Sequence, residues 1–305
     1  ILNQKNIEWL KYKENIFFSS KLAEGCNKIK TKYAVLNADD DFIIPSSLSK
    51  CISFLNLNHD YSSAYGRFYR HLNYQDLINK KFSIGLLHKS IDNVLHDLPS
   101  DRLSSYSLGK TTPPFYSVQK TEIFKLAWKE AGKHTSKWGL GEILPSVLTL
   151  IYGKVKLLPI FYISRESNNF QFVDKSMFKD WYSPFRVEKA IKCLTKHLVK
   201  VEGLNDSRAH LFIKGLLNKE INKTLSEDFS VESKSSLSVY VKKTILFLRN
   251  KIGIRTRIRE LLFYGCPSSI YFSQKNDFFN IKKSVIDAKL TFDELNLSRK
   301  DYQIE

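Results

Sequence analysis

The chain has 305 residues, 43% hydrophobic and 13% aromatic, with 48 basic against 31 acidic side chains and a formal charge of +17. That composition supports one large or two modest hydrophobic cores and excludes a disordered polyelectrolyte. It also favours anionic partners, whether nucleotides, nucleic acid or an acidic membrane surface. Transmembrane helices need about 18 or more uncharged apolar residues. The nearest candidate, between Val147 and Ile163, is interrupted by Lys154, Lys156 and Pro159. No signal-peptide pattern opens the chain. Cys26, Cys51, Cys193 and Cys266 are widely spaced with no C-x-x-C pair, which argues against zinc and fits a reducing compartment. Cys26 and Cys51 read as small core residues. The first residue is Ile1, which reads as a fragment that has lost its natural N-terminus.

In chain order, Phe18, Leu22, Cys26 and Ile29 form a helical stripe. It leads into an apolar run, Tyr33-Ala34-Val35-Leu36-Asn37, which reads as a buried strand. Pro45 suits a first helical position, and Leu48, Cys51, Ile52 and Leu55 then define one apolar face. Residues 60–67 alternate as a strand, and residues 71–110 show less regular patterning. A short strand at 115–119 precedes a helix over 121–131. Trp138-Gly139-Leu140-Gly141-Glu142 reads as a glycine-punctuated loop before a helix over 143–152. Residues 154–164 are extended and apolar, ending near Arg165-Glu166.

Residues 171–225 read as a helical extension. Val187, Ile191, Leu194 and Leu198 mark one face and Ile213, Leu217, Ile221 and Leu225 another, with a break near Gly203-Leu204-Asn205-Asp206. Residues 226–239 are serine-rich and read as a linker. Residues 240–305 form a basic C-terminal region whose helix, 241–260, carries Lys242, Lys243, Arg249, Lys251, Arg255, Arg257 and Arg259. This helix reads equally as an anionic-membrane contact or as a packed helix with a solvated basic face. Most aromatics fall inside apolar strands instead of alternating with basic residues, which counts against single-strand nucleic-acid binding.

Asp39, Asp40 and Asp41 stand between the apolar run and the helix at Pro45, at an expected strand-to-helix turn. Adjacent carboxylates repel one another, and hard oxygen donors so placed favour Mg²⁺ or Mn²⁺. In open α/β sheets, ligands bind beyond the strand ends. The other reading is a solvated acidic turn that starts the helix. About a hundred residues on, Glu142 lies just before a helix with Pro145 in its first turn. The helix N-terminus is expected to keep Glu142 ionised, as a general base requires. Its other reading is simple complementation of the helix dipole.

The order of these segments resembles bacterial family-2-like glycosyltransferases of the GT-A fold. The segments are Tyr33-Ala-Val-Leu-Asn-Ala-Asp39-Asp40-Asp41-Phe-Ile-Ile-Pro45, then Tyr65-Gly66-Arg67, Tyr116-Ser117-Val118, Glu142-Ile-Leu-Pro-Ser146 and Tyr162-Ile-Ser-Arg165-Glu166-Ser167. The resemblance covers residues 1 to about 170 and, more loosely, the helices to about 225. It is closest to a subgroup with an Asp-Asp-Asp-Phe form of the DxD motif.

The resemblance implies an α/β fold, a GT-A mixed sheet flanked by helices with a C-terminal helical extension, and a catalytic domain over 1–170. It implies an enzyme moving sugar from a nucleotide-diphosphate donor to a hydroxyl acceptor with inversion, in surface polysaccharide or glycolipid assembly. A Mn²⁺ or Mg²⁺ ion would be held directly by Asp41, with Asp39 facing the metal or the ribose and Asp40 able to exchange roles with either. Glu142 would be the base, and Arg165 and Lys21 candidate phosphate contacts, Arg165 alternatively forming a surface salt bridge. His71 is not at a matching place for a further metal ligand. The expected partners are a nucleotide-sugar donor, a glycan or lipid-linked acceptor and an anionic membrane surface. No nucleic acid is expected, and the location would be cytoplasmic or peripheral on the inner membrane face.

The chain departs from this pattern at its start. Only 38 residues precede Asp39, so the base- and ribose-binding half is expected to be truncated and the fragment itself to be inactive. Two rivals remain at this level. One is a sugar-phosphate transferase using the same aspartates. The other is a non-enzymatic basic protein binding membrane or nucleic acid through residues 240–260.

Overall fold

The computed structural model describes residues 8, 10–13, 16–38, 41–72, 84–86, 93–106, 114–134, 139–167 and 182–232. Its centre is a long parallel pair, β3 (Tyr61–Leu72) and β6 (Lys154–Ser167). β1 (Tyr33–Ala34), β2 (Asp41–Ile43), β4 (Ile84–Leu86) and β5 (Val118–Lys120) join antiparallel, giving the order β1-β5-β3-β6-β2 with β4 also on β3. The sheet is therefore mixed and the class α/β.

Residues 62–66 of β3 are buried without a break. That continuous burial marks a strand covered on both faces, where alternation was expected for residues 60–67. One cover is α2 (Pro45–Leu57), with Pro45 at its start and Cys51 and Leu55 fully buried. The Ser47 hydroxyl donates to the Phe161 carbonyl and pins this helix to β6. Contacts on β3 also come from α5 (Leu140–Ile151), which is buried from Leu144 to Ile151, as an all-round apolar helix must be. α5 packs against α3 (Pro99–Ser105) and α4 (Thr121–His134), and α4 in turn carries α1 (Phe18–Gly25).

The buried Arg102 of α3 closes the other end of α5, donating from Nε to the Leu150 carbonyl at 2.7 Å and from Nη2 to the Ile151 carbonyl at 2.8 Å. A cation at a helix C-terminus satisfies orphan carbonyls and the dipole together. α6 (Pro184–Glu202) ends at Gly203, whose φ of 74° provides the left-handed cap for the expected break. α7 (Asp206–Glu232) returns along α6 through Ala209, Ile213, Leu217 and Ile221. These residues share one hydrophobic core with β3 and α5, so the helical extension packs onto the sheet domain.

Several expected boundaries move. The strand expected over Tyr33–Asn37 is only Tyr33–Ala34, because its partner β5 is just three residues long. Phe115 and Tyr116 belong to a 3₁₀ turn (Pro114–Tyr116) closed by Ser117 N–H to the Pro114 carbonyl at 2.9 Å, so the strand begins at Val118. Asp41 does not lie in a strand-to-helix turn but opens β2. Residues 226–232, expected as linker, continue α7, since serine costs a helix well under about 1 kcal/mol relative to alanine. The basic helix over 241–260 and the rest of the C-terminal region lie outside the described residues. Among the described residues, no helix is long and apolar enough to cross a membrane.

Gly66 sits at a register shift in the β3–β6 ladder, between the Tyr65–Leu157 and Arg67–Phe161 pairs. A Cβ there would stand 2.5 Å from the Ile160 carbonyl oxygen, and backbone cannot swing aside. Gly66→Ala should therefore cost about 1–3 kcal/mol through overpacking. Gly215→Ala, in α7 with nothing within 4 Å of a built Cβ, should gain about 0.5–1 kcal/mol from helix propensity. Urea midpoints of the two variants should move in opposite directions.

Candidate functional site

β3 and β6 run parallel, so their C-terminal ends meet at one edge of the sheet, where α/β proteins place ligands. β2 pairs antiparallel with β6 there, setting Asp41 directly opposite Arg165. Opposed residues on one face of a sheet touch through their side chains. Arg165 Nε lies 3.2 Å from Asp41 Oδ1 and 3.0 Å from Oδ2. The Asp41 side chain is 1% exposed and that of Arg165 29%. Asn37 Nδ2 donates to the Asp41 carbonyl at 3.0 Å, tying the incoming loop to β2.

Tyr116 holds the other side of the guanidinium. Arg165 Cζ lies 4.5 Å from the ring centroid, and Nη2 donates to the Tyr116 hydroxyl at 3.2 Å. The buried Tyr162 hydroxyl donates to the Tyr116 carbonyl at 2.9 Å, so the platform is anchored in the core. Arginine suits this place because one planar cation can stack and donate together.

Glu142 occupies the first turn of α5, not a loop ahead of it. Gly139, at φ 73°, opens the helix early, its carbonyl accepting from Glu142 N–H at 3.0 Å and Ile143 N–H at 2.9 Å. Pro145 therefore falls inside the helix, where it lacks the N–H for an intrahelical bond to the Gly141 carbonyl. A Cβ at Gly139 would meet the Tyr182 hydroxyl at 2.8 Å, so the residue is constrained by space as well as by backbone angle.

The expectation that the helix N-terminus keeps Glu142 ionised needs correction. Burial pushes its carboxyl above the usual carboxylate range, and the Arg165 charge opposes that shift without cancelling it. Desolvation outweighs the helix end here.

Asp41 and Arg165, expected to share a site, are thus in contact, Tyr116 joins them, and Glu142 is near enough to feel the Arg165 charge. The role of Tyr116 in the site was not read from the sequence; only its place in the Tyr116-Ser117-Val118 segment hinted at it. Lys21 is not brought in. It lies in α1, which packs chiefly on α4 and not on β6. Arg165 does form a salt bridge, as its other reading had it, but with a buried carboxylate. Near the same edge, the backbone register sets Arg70 opposite Arg165 and His71 opposite Glu166. On β3, the buried Nε of Arg67 has no hydrogen-bond partner among the described residues.

The triplet was expected to bind a divalent cation through Asp41. Such ions take six or more oxygens. The Asp41 carboxylate is buried and faces a guanidinium, which would repel a metal, so Asp41 does not fit as the direct ligand. Asp39 and Asp40, whose donor chemistry does suit Mg²⁺ or Mn²⁺, lie outside the described residues.

Comparison with protein-family models, with curated proteins and with solved structures yields no match to this chain.

Two measurements check this geometry. Removing one partner of a buried ion pair is costly. Arg165→Met should lose roughly 3 kcal/mol at neutral pH, and adding Asp41→Asn should recover much of it in a double-mutant cycle. For Glu142, the raised carboxyl pKa means that the native state holds its proton more tightly than the unfolded chain. Its contribution to stability is complete below the unfolded value of about 4.3 and is lost as pH rises through the folded value. Glu142→Gln should match the wild-type melting temperature near pH 4 and exceed it at pH 8.

Proposed function

We propose that the protein is a metal-dependent, inverting glycosyltransferase of the GT-A type. It transfers a sugar from a nucleotide-diphosphate donor to a hydroxyl acceptor, in surface polysaccharide or glycolipid assembly. The observation that carries this reading is the convergence of Asp41, Arg165, Tyr116 and Glu142 at the C-terminal edge of the β3–β6 pair. They come from four of the five segments whose order resembles that family. A strongly basic chain suits a donor that carries phosphates and an acceptor on an anionic membrane surface.

In this reading Glu142 takes the proton of the acceptor hydroxyl. A carboxyl raised by burial is a better base than an ordinary one, and the Arg165 charge favours its ionised form. Arg165 faces the diphosphate and offsets the negative charge that builds there as the glycosidic bond breaks. Asp41 and Tyr116 act on Arg165, fixing the plane and direction of the guanidinium. Metal ligation passes to Asp39 and Asp40. When bound, Mn²⁺ or Mg²⁺ supplies Lewis-acid stabilisation of the departing nucleoside diphosphate.

The test is isothermal titration of UDP, GDP and CDP into the full-length protein, with and without Mn²⁺. One diphosphate should bind only with metal, and Asp39→Asn or Asp40→Asn should abolish that binding. Glu142→Gln should keep donor binding and lose about 10²- to 10⁴-fold in kcat. Wild-type turnover should fall on acidification through a pKa above the ordinary carboxylate range. Release of a nucleoside monophosphate would instead identify a sugar-phosphate transferase. Failure of every nucleotide to bind a folded protein would favour a basic binding module, which neutralising Arg255, Arg257 and Arg259 should disable.

A further inference from the structure

A second cluster of ligand-type side chains lies away from the sheet edge, between α4 and α6. Glu130 and His134 are spaced i, i+4 on α4, and Cys193 and His197 are spaced i, i+4 on α6. That spacing puts each pair on one helix face. The two faces meet, and ligand atoms of Glu130, Cys193 and His197 all lie within 4.8 Å of one another. Cys193 Sγ is 3.5 Å from Glu130 Oε2, and His134 Nε2 is 3.1 Å from the same oxygen.

We propose that Glu130, Cys193 and His197, with His134 as the fourth donor, bind a structural Zn²⁺ that staples α6 to α4.

Tetrahedral zinc, with bonds of roughly 2.0–2.3 Å, sets its donors about 3.3–3.8 Å apart. The Glu130–Cys193 separation already fits, while His134 stands outside the three-residue group and reaches the shell only by reorienting its ring. One thiolate and one carboxylate neutralise Zn²⁺, while two neutral imidazoles complete the shell. Burial holds His197 below the usual histidine range against the opposing pull of the Glu130 carboxylate, which favours the ligating form. The Tyr152 hydroxyl, 2.7 Å from His197 Nδ1, fixes the ring as outer partners of zinc-bound histidines do.

Without metal, burial and the Glu130 carboxylate push the Cys193 thiol up to about 12, so binding must expel the thiol proton to solvent. The thiolate sulfur then bonds to Zn²⁺, with no change of oxidation state. Lys133 donates to Glu130 Oε1 at 2.9 Å, leaving Oε2 as the ligating oxygen. Four protein donors leave no open position, the mark of a structural site. The staple would fix the C-terminal end of α4, from which the chain runs on to Gly139 and Glu142. It is nonetheless independent of the proposed transferase activity.

The test is Co²⁺ titration of the chelator-treated full chain, read by absorption. One equivalent per chain should give tetrahedral d–d bands with thiolate-to-cobalt charge transfer, and Zn²⁺ should displace it. Cys193→Ser should lose the charge-transfer band, whereas Asp39→Asn and Asp40→Asn should retain it. If Cys193→Ser does not fold, Tyr152→Phe and Glu130→Gln supply the readout, each weakening Co²⁺ binding by about tenfold or more. Absence of charge transfer in the folded wild type would overturn the site. So would an unchanged band in Cys193→Ser, or unchanged affinity in both other variants.

Discussion

β6 is hydrogen-bonded on both edges, in parallel to β3 and antiparallel to β2. A strand paired on both sides cannot slip by one residue without breaking two ladders and turning its buried side chains outward. That double constraint sets Arg165 opposite Asp41 and near the end of β3. The glycine at position 66 answers a register shift in this ladder, which brings the Ile160 carbonyl oxygen to 2.5 Å from where a Cβ would stand. Parallel strands need a long crossover between them. Here the crossover includes α3, α4 and α5, and so delivers Tyr116 and Glu142 on the way.

The same register has an electrostatic consequence. Burying Asp41 removes it from water, and a guanidinium within 3.2 Å offsets that cost. Such a pair is a weak source of net stability, so its value lies in direction. Arg165 is held between a carboxylate and an aromatic face and can point in few other ways. Glu142 carries the opposite strain. It is drawn into a region that disfavours its charge, and Arg165 supplies part of the compensation. One cation thus serves two carboxylates, one as a fixed partner and one as a distant stabiliser. A carboxyl shifted by burial beside a charged partner is more characteristic of functional sites than of packing sites.

Much of this was legible locally. Pro45 and the Leu48, Cys51, Ile52, Leu55 spacing located α2, and Gly203 marked the turn between the last two described helices. The acidic triplet and Glu142 were visible as unusual chemistry next to helix starts. Other features were hidden for identifiable reasons. Tyr33–Asn37 has strand composition throughout, yet strand length follows the partner, and β5 offers three residues. The start of α5 depended on Gly139 adopting a positive φ, which sequence permits but does not require. Cys193 and His197, and likewise Glu130 and His134, showed only an i, i+4 spacing. Nothing local revealed that the two helices face each other.

By itself, the amino-acid sequence determined which segments bury an apolar face and where helices stop. It also placed ionisable groups within a few residues of element ends, because periodicity, proline and glycine act over a turn or two of backbone. The tertiary structure decided what those groups do. Asp41 looked like a metal ligand and became the partner of Arg165, 124 residues away. Glu142 looked ionised and was shifted toward its protonated form by burial. A carboxylate's charge state and partner depend on the solvent removed and the charges brought near, and both are set by long-range packing.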